Sequence, residues 1–168
     1  MKKLLVIVDM QNDFVTGSLA NDAAEKIVDK IADYAKTFDG DIVFTRDTHT
    51  KDYMDTQEGK NLPVPHCIKN TYGWQIVNVL RNIPGRTFDK PTFGSIELAE
   101  ELRRNYADAE IYFVGTCTGI CVLSNAIIAK AFVPEAEINV IKDLCACVSE
   151  ETNETALKAM ALCQIKVI

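Results

Sequence analysis

The chain has 168 residues, 48% hydrophobic and 25% charged, with a formal net charge of −6. Those values suit one soluble globular domain, here taken as residues 1–168, and exclude a pair of ordinary domains. The acidic balance sets nucleic acid and acidic membrane surfaces against repulsion, and no stretch approaches the roughly 18 apolar residues of a membrane span. The opening run "KLLVIVD" is cut by Asp9 and lacks a small-residue cleavage site, so it reads as a buried strand and not as a signal segment. "NDAAEKIVDKIADYAK" sets Ala24, Ile27, Val28, Ile31 and Ala35 on one helical face, with Asn21 as N-cap. Strands are predicted at Asp41 to Asp47 and at "RTFDK", followed by a helix capped by Ser95. "EIYFVGT" (Glu110 to Thr116) is a further strand, and "ICVLSNAIIAKAFV" an almost wholly apolar helix. "EINVIKD", a helix capped by Ser149 and "QIKVI" close the chain.

Strand and helix in alternation predict a three-layer α/β/α fold around a mainly parallel, Rossmann-like sheet of roughly six strands. One segment breaks the rhythm. From Thr48 to about Thr71 no period is visible, and both histidines, His49 and His66, lie inside it. Long irregular segments in compact domains are usually functional or disordered.

Ligands of open parallel sheets bind beyond the carboxyl ends of the strands. Asp9 ends the first predicted strand, Asp47 the second and Lys90 the third, and Cys117 and Cys121 follow the fourth. An acid, an ammonium and a thiol at one edge suggest a nucleophilic cysteine. Cys121 at a helix start, near Lys90, is expected to be eased toward thiolate, and Asp9 can relay a proton. Asp47, His49, Glu58 and His66 form a donor set suited to zinc, manganese or iron. Spacing alone also allows solvated carboxylates and surface imidazoles. The six cysteines form no CxxC pair and follow no secretory signal, so they read as reduced thiols of a cytoplasmic protein.

Five motifs then occur in order: "DMQNDF", "RDTH", "PVPHC", "FDKPTFGS" and "GTCTGICV". Together they resemble the isochorismatase-like cysteine hydrolases, above all the nicotinamidase branch, collinearly from Lys3 to about Lys142. The resemblance implies Asp9, Lys90 and Cys121 as the catalytic triad, with Cys121 the nucleophile. It implies a cis peptide at Thr116–Cys117, and an oxyanion hole of the backbone N–H groups of Cys117 and Cys121. It implies Asp47, His49 and His66 as ligands of one divalent transition metal, zinc before manganese or iron, with Glu58 the variable fourth. The metal would meet a ring nitrogen of the substrate, and Phe14 would line the ring pocket.

The implied reaction is hydrolysis of a small carboxamide through a thioester, nicotinamide first. Alternatives are a carbamoyl or ureido amide, a vinyl ether, or a non-catalytic metabolite- or partner-binding relative. The family also implies a homo-oligomer. Two departures from the family pattern stand in the turn and near the pocket. Gly119 stands where an acidic residue is common, and Leu62, Pro63 and Val64 stand where an aromatic is common. Tyr53 and Trp74 are further rings whose spacing fits core or surface at least as well.

Overall fold

The computed structural model describes residues 1–168. Six strands, β1 (Lys3–Val8), β2 (Asp41–Asp47), β3 (Arg86–Lys90), β4 (Glu110–Thr116), β5 (Glu137–Ala146) and β6 (Lys166–Val167), form one sheet in the order β3-β2-β1-β4-β5-β6. Every pairing is parallel. The seven helices are α1 (Asn12–Val15), α2 (Asp22–Thr37), α3 (Gln57–Asn61), α4 (Asn78–Arg81), α5 (Ile96–Asn105), α6 (Leu123–Phe132) and α7 (Glu150–Leu162).

Period-2 alternation in β1 separates the two cores. Leu4, Val6 and Val8 face a cluster shared with Leu98 and Leu102 of α5, Ala126 and Ala129 of α6, and Met160 of α7. Leu5 and Ile7 face the other, built on Ile27, Val28 and Ile31 of α2 and Leu80 of α4. The caps act as the sequence indicates. The Asn21 side chain accepts the Ala23 N–H, Ser95 accepts the Leu98 N–H, and Ser149 forms a reciprocal capping box with Thr152.

Some boundaries differ from the sequence reading. The single apolar helix expected from Ile120 begins earlier and in two parts, a wide π-helical turn at Thr118–Val122 and then α6. β5 runs on to Ala146 because a register shift between Phe113 and Gly115 lets it continue past Asp143, so Cys145 lies within the strand. The irregular segment holds a 3₁₀ turn at Tyr53–Asp55 and the short α3, whose Thr56 cap accepts the Gly59 N–H.

Strand order reverses outward from β1 and β4, so the carboxyl ends of these two neighbours form the switch point of the sheet. Gly115 makes their close approach possible. Its φ is 119°, and a Cβ there would strike the Val8 carbonyl.

Candidate active site and metal centre

Asp9 leaves β1 with a φ of 49°, in the left-handed region that aspartate tolerates better than branched residues. Its carboxylate is wholly buried. Oδ1 accepts the Thr45 hydroxyl at 2.7 Å and Oδ2 lies 2.6 Å from Lys90 Nζ. Lys90, the last residue of β3, also donates to the Thr92 carbonyl at 3.0 Å and stands 3.6 Å from Cys121 Sγ. Cys121 sits in the π-helical turn and is 6% exposed. The Thr116–Cys117 peptide just before that turn is cis, as the resemblance implies. The three groups of the expected triad are therefore in contact.

Burial pushes the Cys121 thiol well up, the Asp9 carboxylate adds to the effect, and Lys90 only partly opposes it. Burial also raises Asp9 against the pull of Lys90, which makes it a stronger proton acceptor. Burial thus weighs toward the thiol form of Cys121, beside a carboxylate able to accept its proton.

The second cluster adjoins the first through one side chain. Asp47 Oδ1 lies 3.6 Å from Lys90 Nζ, whereas Oδ2 lies 3.0 Å from His49 Nε2 and 3.3 Å from His66 Nε2. Glu58 Oε1 completes the group, 3.6 and 3.7 Å from the same nitrogens. One ligand atom from each of the four residues lies within 4.8 Å of the others. Backbone pairing explains how the loop achieves this. The His49 N–H donates to the Cys67 carbonyl and the Lys69 N–H to the His49 carbonyl, which lays His66 beside His49.

These residues fit a divalent transition metal. The His66 Nδ1–H donates to the Val64 carbonyl at 2.8 Å, which leaves Nε2 as the nitrogen that would bind a metal on losing its proton. Asp47 Oδ1 is buried and makes no hydrogen bond. Burial alone would raise Asp47, but hydrogen bonds to both imidazoles and the charge of Lys90 hold it well below the usual carboxylate range. Burial works against charging His66, yet its bonds to Asp47 and the Val64 carbonyl leave it raised. A metal cation at the centre would take the place of the protons that the imidazoles share with Asp47.

Phe14 stands 5.6 Å from the His66 ring and lines a cavity of about 760 Å³ with Leu62, Thr116, Cys117 and Ile120. Tyr53 is fully buried behind the histidines, 4.8 Å from the His49 ring and 5.0 Å from the His66 ring. Trp74 donates its indole N–H to the Thr48 hydroxyl, with Arg46 over its ring. Neither ring lines that cavity.

Three supporting residues were not found from sequence. Gln11 accepts the Asp47 N–H at 2.7 Å and donates to the Asp47 and Trp74 carbonyls, fixing the shared ligand. Thr45 holds Asp9. Asn125, 2% exposed, donates to the Cys121 and Phe93 carbonyls and accepts the Ser95 N–H. A polar amide four residues after Cys121 in an apolar helix was the available signal for Asn125.

The isochorismatase domain family model matches residues 3–168. The nicotinamidase of Saccharomyces cerevisiae is 30% identical, the match covering 76% of this chain and 81% of that protein. Among solved structures, the pyrazinamidase of Pyrococcus horikoshii in complex with zinc superposes with a TM-score of 0.86 at 29% identity, covering 100% of this chain and 99% of that one. The pyrazinamidase/nicotinamidase of Streptococcus mutans gives 0.87 at 28% identity, covering 99% and 100%. The chain therefore belongs to the isochorismatase family, in its nicotinamidase-like branch of amidohydrolases.

Proposed function

We propose that this protein hydrolyses a small ring carboxamide, nicotinamide to nicotinate and ammonia, through a thioester on Cys121. The observation that carries the reading is the placement of Asp47, whose two oxygens face the Lys90 ammonium on one side and the metal-ligand cluster on the other. A thiol–acid–ammonium group and a cation site thus share one wall.

In this mechanism Asp9 takes the Cys121 proton as Sγ attacks the carbonyl carbon. The backbone N–H groups of Cys117 and Cys121 receive the developing oxyanion, and Lys90 balances the negative charge passing between Sγ and Asp9. Asp9 then gives its proton to departing ammonia, and removes one from the water that cleaves the thioester. Asp47, His49, Glu58 and His66 would hold the metal, and zinc is the ion most consistent with the zinc complex of the Pyrococcus horikoshii relative. Such an ion supplies Lewis acidity and an anchor for a donor atom of the substrate. Phe14 provides an apolar wall for a flat ring.

The test is ammonia release by metal-loaded protein from nicotinamide, pyrazinamide and benzamide. The first two are expected to react, and benzamide, which lacks the ring nitrogen, much more slowly. Equal rates on nicotinamide and benzamide would remove the ring-anchoring role of the metal. Reaction of only a carbamoyl or ureido compound would keep the triad and discard the nicotinamidase reading.

A further inference from the structure

We propose that Cys117 and Cys147 are an oxidative modification site, a dithiol that a hydroperoxide converts to a disulfide at the edge of the active site. The pair follows from the sheet register. β4 and β5 run parallel, their last register pair is Thr116 with Ala146, and the residue just beyond each strand is a cysteine. Neighbouring strands lie about 4.8 Å apart, inside the Cα separation of roughly 4.4–6.8 Å that a disulfide requires. The two sulfurs are already 2.6 Å apart. The other cysteines have different surroundings. Cys67 is buried with its N–H on the Asp13 carboxylate, Cys145 packs in the hydrophobic core, Cys121 is engaged by Lys90, and Cys163 is exposed at the end of α7.

The surroundings favour oxidation over inert packing. The Asn21 amide donates to the Cys147 carbonyl at 2.8 Å, and the Thr152 hydroxyl donates to Cys147 Sγ at 3.5 Å. Burial pushes the Cys147 thiol up, but the hydrogen bonds from Cys117 and Thr152 outweigh it and hold Cys147 below the ordinary cysteine value. Burial and donation to Cys147 push Cys117 up to about 12. Small oxidants can approach from both sides. Cys117 lines the cavity that holds Phe14, and Cys147 lines a second one of about 320 Å³ beside Ser149 and Asn153.

The chemistry balances with the hydroperoxide as oxidant. The Cys147 thiolate attacks one peroxide oxygen, an S–O bond forms as the O–O bond breaks, and the alcohol (water, for hydrogen peroxide) leaves with a proton. The Cys117 sulfur then attacks the sulfenic sulfur, the S–S bond forms as the S–O bond breaks, and water leaves with the Cys117 proton. Two thiols lose two electrons and two hydrogens, and one peroxide bond is reduced. The effect on turnover rests on the function proposed above, where the Cys117 N–H holds the oxyanion. Tying that residue to β5 shifts the donor, and such a loss is expected to lower kcat at least about tenfold.

Metal-loaded protein is treated with a small excess of hydrogen peroxide, alkylated and digested without reductant. A linked peptide joining Cys117 and Cys147, lighter by two hydrogens and separated by dithiothreitol, is expected. Recovery of both as alkylated thiols, or of either as a sulfinic acid without linkage, would overturn the site. In parallel, turnover of the untreated Cys147→Ser protein should match the wild type and survive peroxide, while wild-type turnover falls and dithiothreitol restores it. Equal loss in Cys147→Ser, or full turnover of linked wild type, would overturn the coupling to activity. If no amide is hydrolysed at all, the linked peptide still decides the disulfide, and the failure belongs to the function.

Discussion

Lys90 Nζ lies 2.6 Å from Asp9 Oδ2 with both side chains fully buried. Neither charge could be tolerated there alone, because the desolvation of each is offset only by the other and by nearby hydrogen bonds. The pair comes from the ends of β1 and β3, with β2 between them contributing the Thr45 hydroxyl. The ion pair proposed to serve catalysis also supports local stability, so variants must be read on both scales.

Lys90→Met should lower both turnover and stability. Removing one partner of a buried ion pair commonly costs about 3–5 kcal/mol, and the raised Asp9 can recover part of this by taking up a proton. Asp9→Asn should reduce turnover by a factor of about 10²–10⁴, the range for a lost acid–base group. The double variant should be more stable than Lys90→Met alone. Urea midpoints beside kcat measure this, and equal midpoints for the single and double variants would contradict the pairing.

The buried, raised thiol of Cys121 changes what a labelling experiment should show. Iodoacetamide should modify exposed Cys163 well before Cys121. An aldehyde analogue of the substrate should instead add reversibly to Cys121, since Asp9 is placed to take the proton as the bond forms. Cys121→Ala should abolish both adduct and turnover with an unchanged circular dichroism spectrum. An adduct that persists in Cys121→Ala would place the nucleophile elsewhere.

For the metal centre, protein loaded with zinc and dialysed should retain close to one ion per chain. His49→Ala and His66→Ala should lose it, because each removes a buried nitrogen donor. Glu58→Gln should weaken binding less, since its side chain is 18% exposed and water can take its place. Elemental analysis gives the stoichiometry, and a chelator should lower the melting temperature of the wild type only. A wild-type protein whose melting temperature ignores chelator would count against the site.

Much of this arrangement was legible in the chain. Apolar runs alternating with amphipathic helices give the layered sheet, and polar residues at strand ends give the site, because a parallel sheet exposes only its ends. What stayed hidden was contact between distant segments. Gln11 reaches Asp47, and Asn125 reaches Phe93 and Ser95, only through packing that no period in the chain announces. The thiol's resistance to ionising was missed for a similar reason. Helix starts and lysines are visible in sequence, but the depth of burial that overrides them is set by packing from α5 and α6.

Asn125 supplies the last prediction. Both ends of its amide are used, on the nucleophile's own carbonyl and on the Phe93–Ser95 segment that follows Lys90. It therefore ties the turn bearing Cys121 to the segment that follows Lys90. Asn125→Leu leaves the Ser95 N–H and the Phe93 carbonyl without their side-chain partner, which should cost about 1–3 kcal/mol in stability. Asn125→Asp keeps the bond to the Ser95 N–H but sets a buried carboxylate against two carbonyl oxygens, so it should be at least as destabilising as Leu at neutral pH. If Asn125 positions the nucleophile, kcat should drop in Asn125→Leu while KM stays near the wild-type value. A rise in KM alone would make it part of the binding wall, and unchanged kcat in a folded variant would make it purely structural.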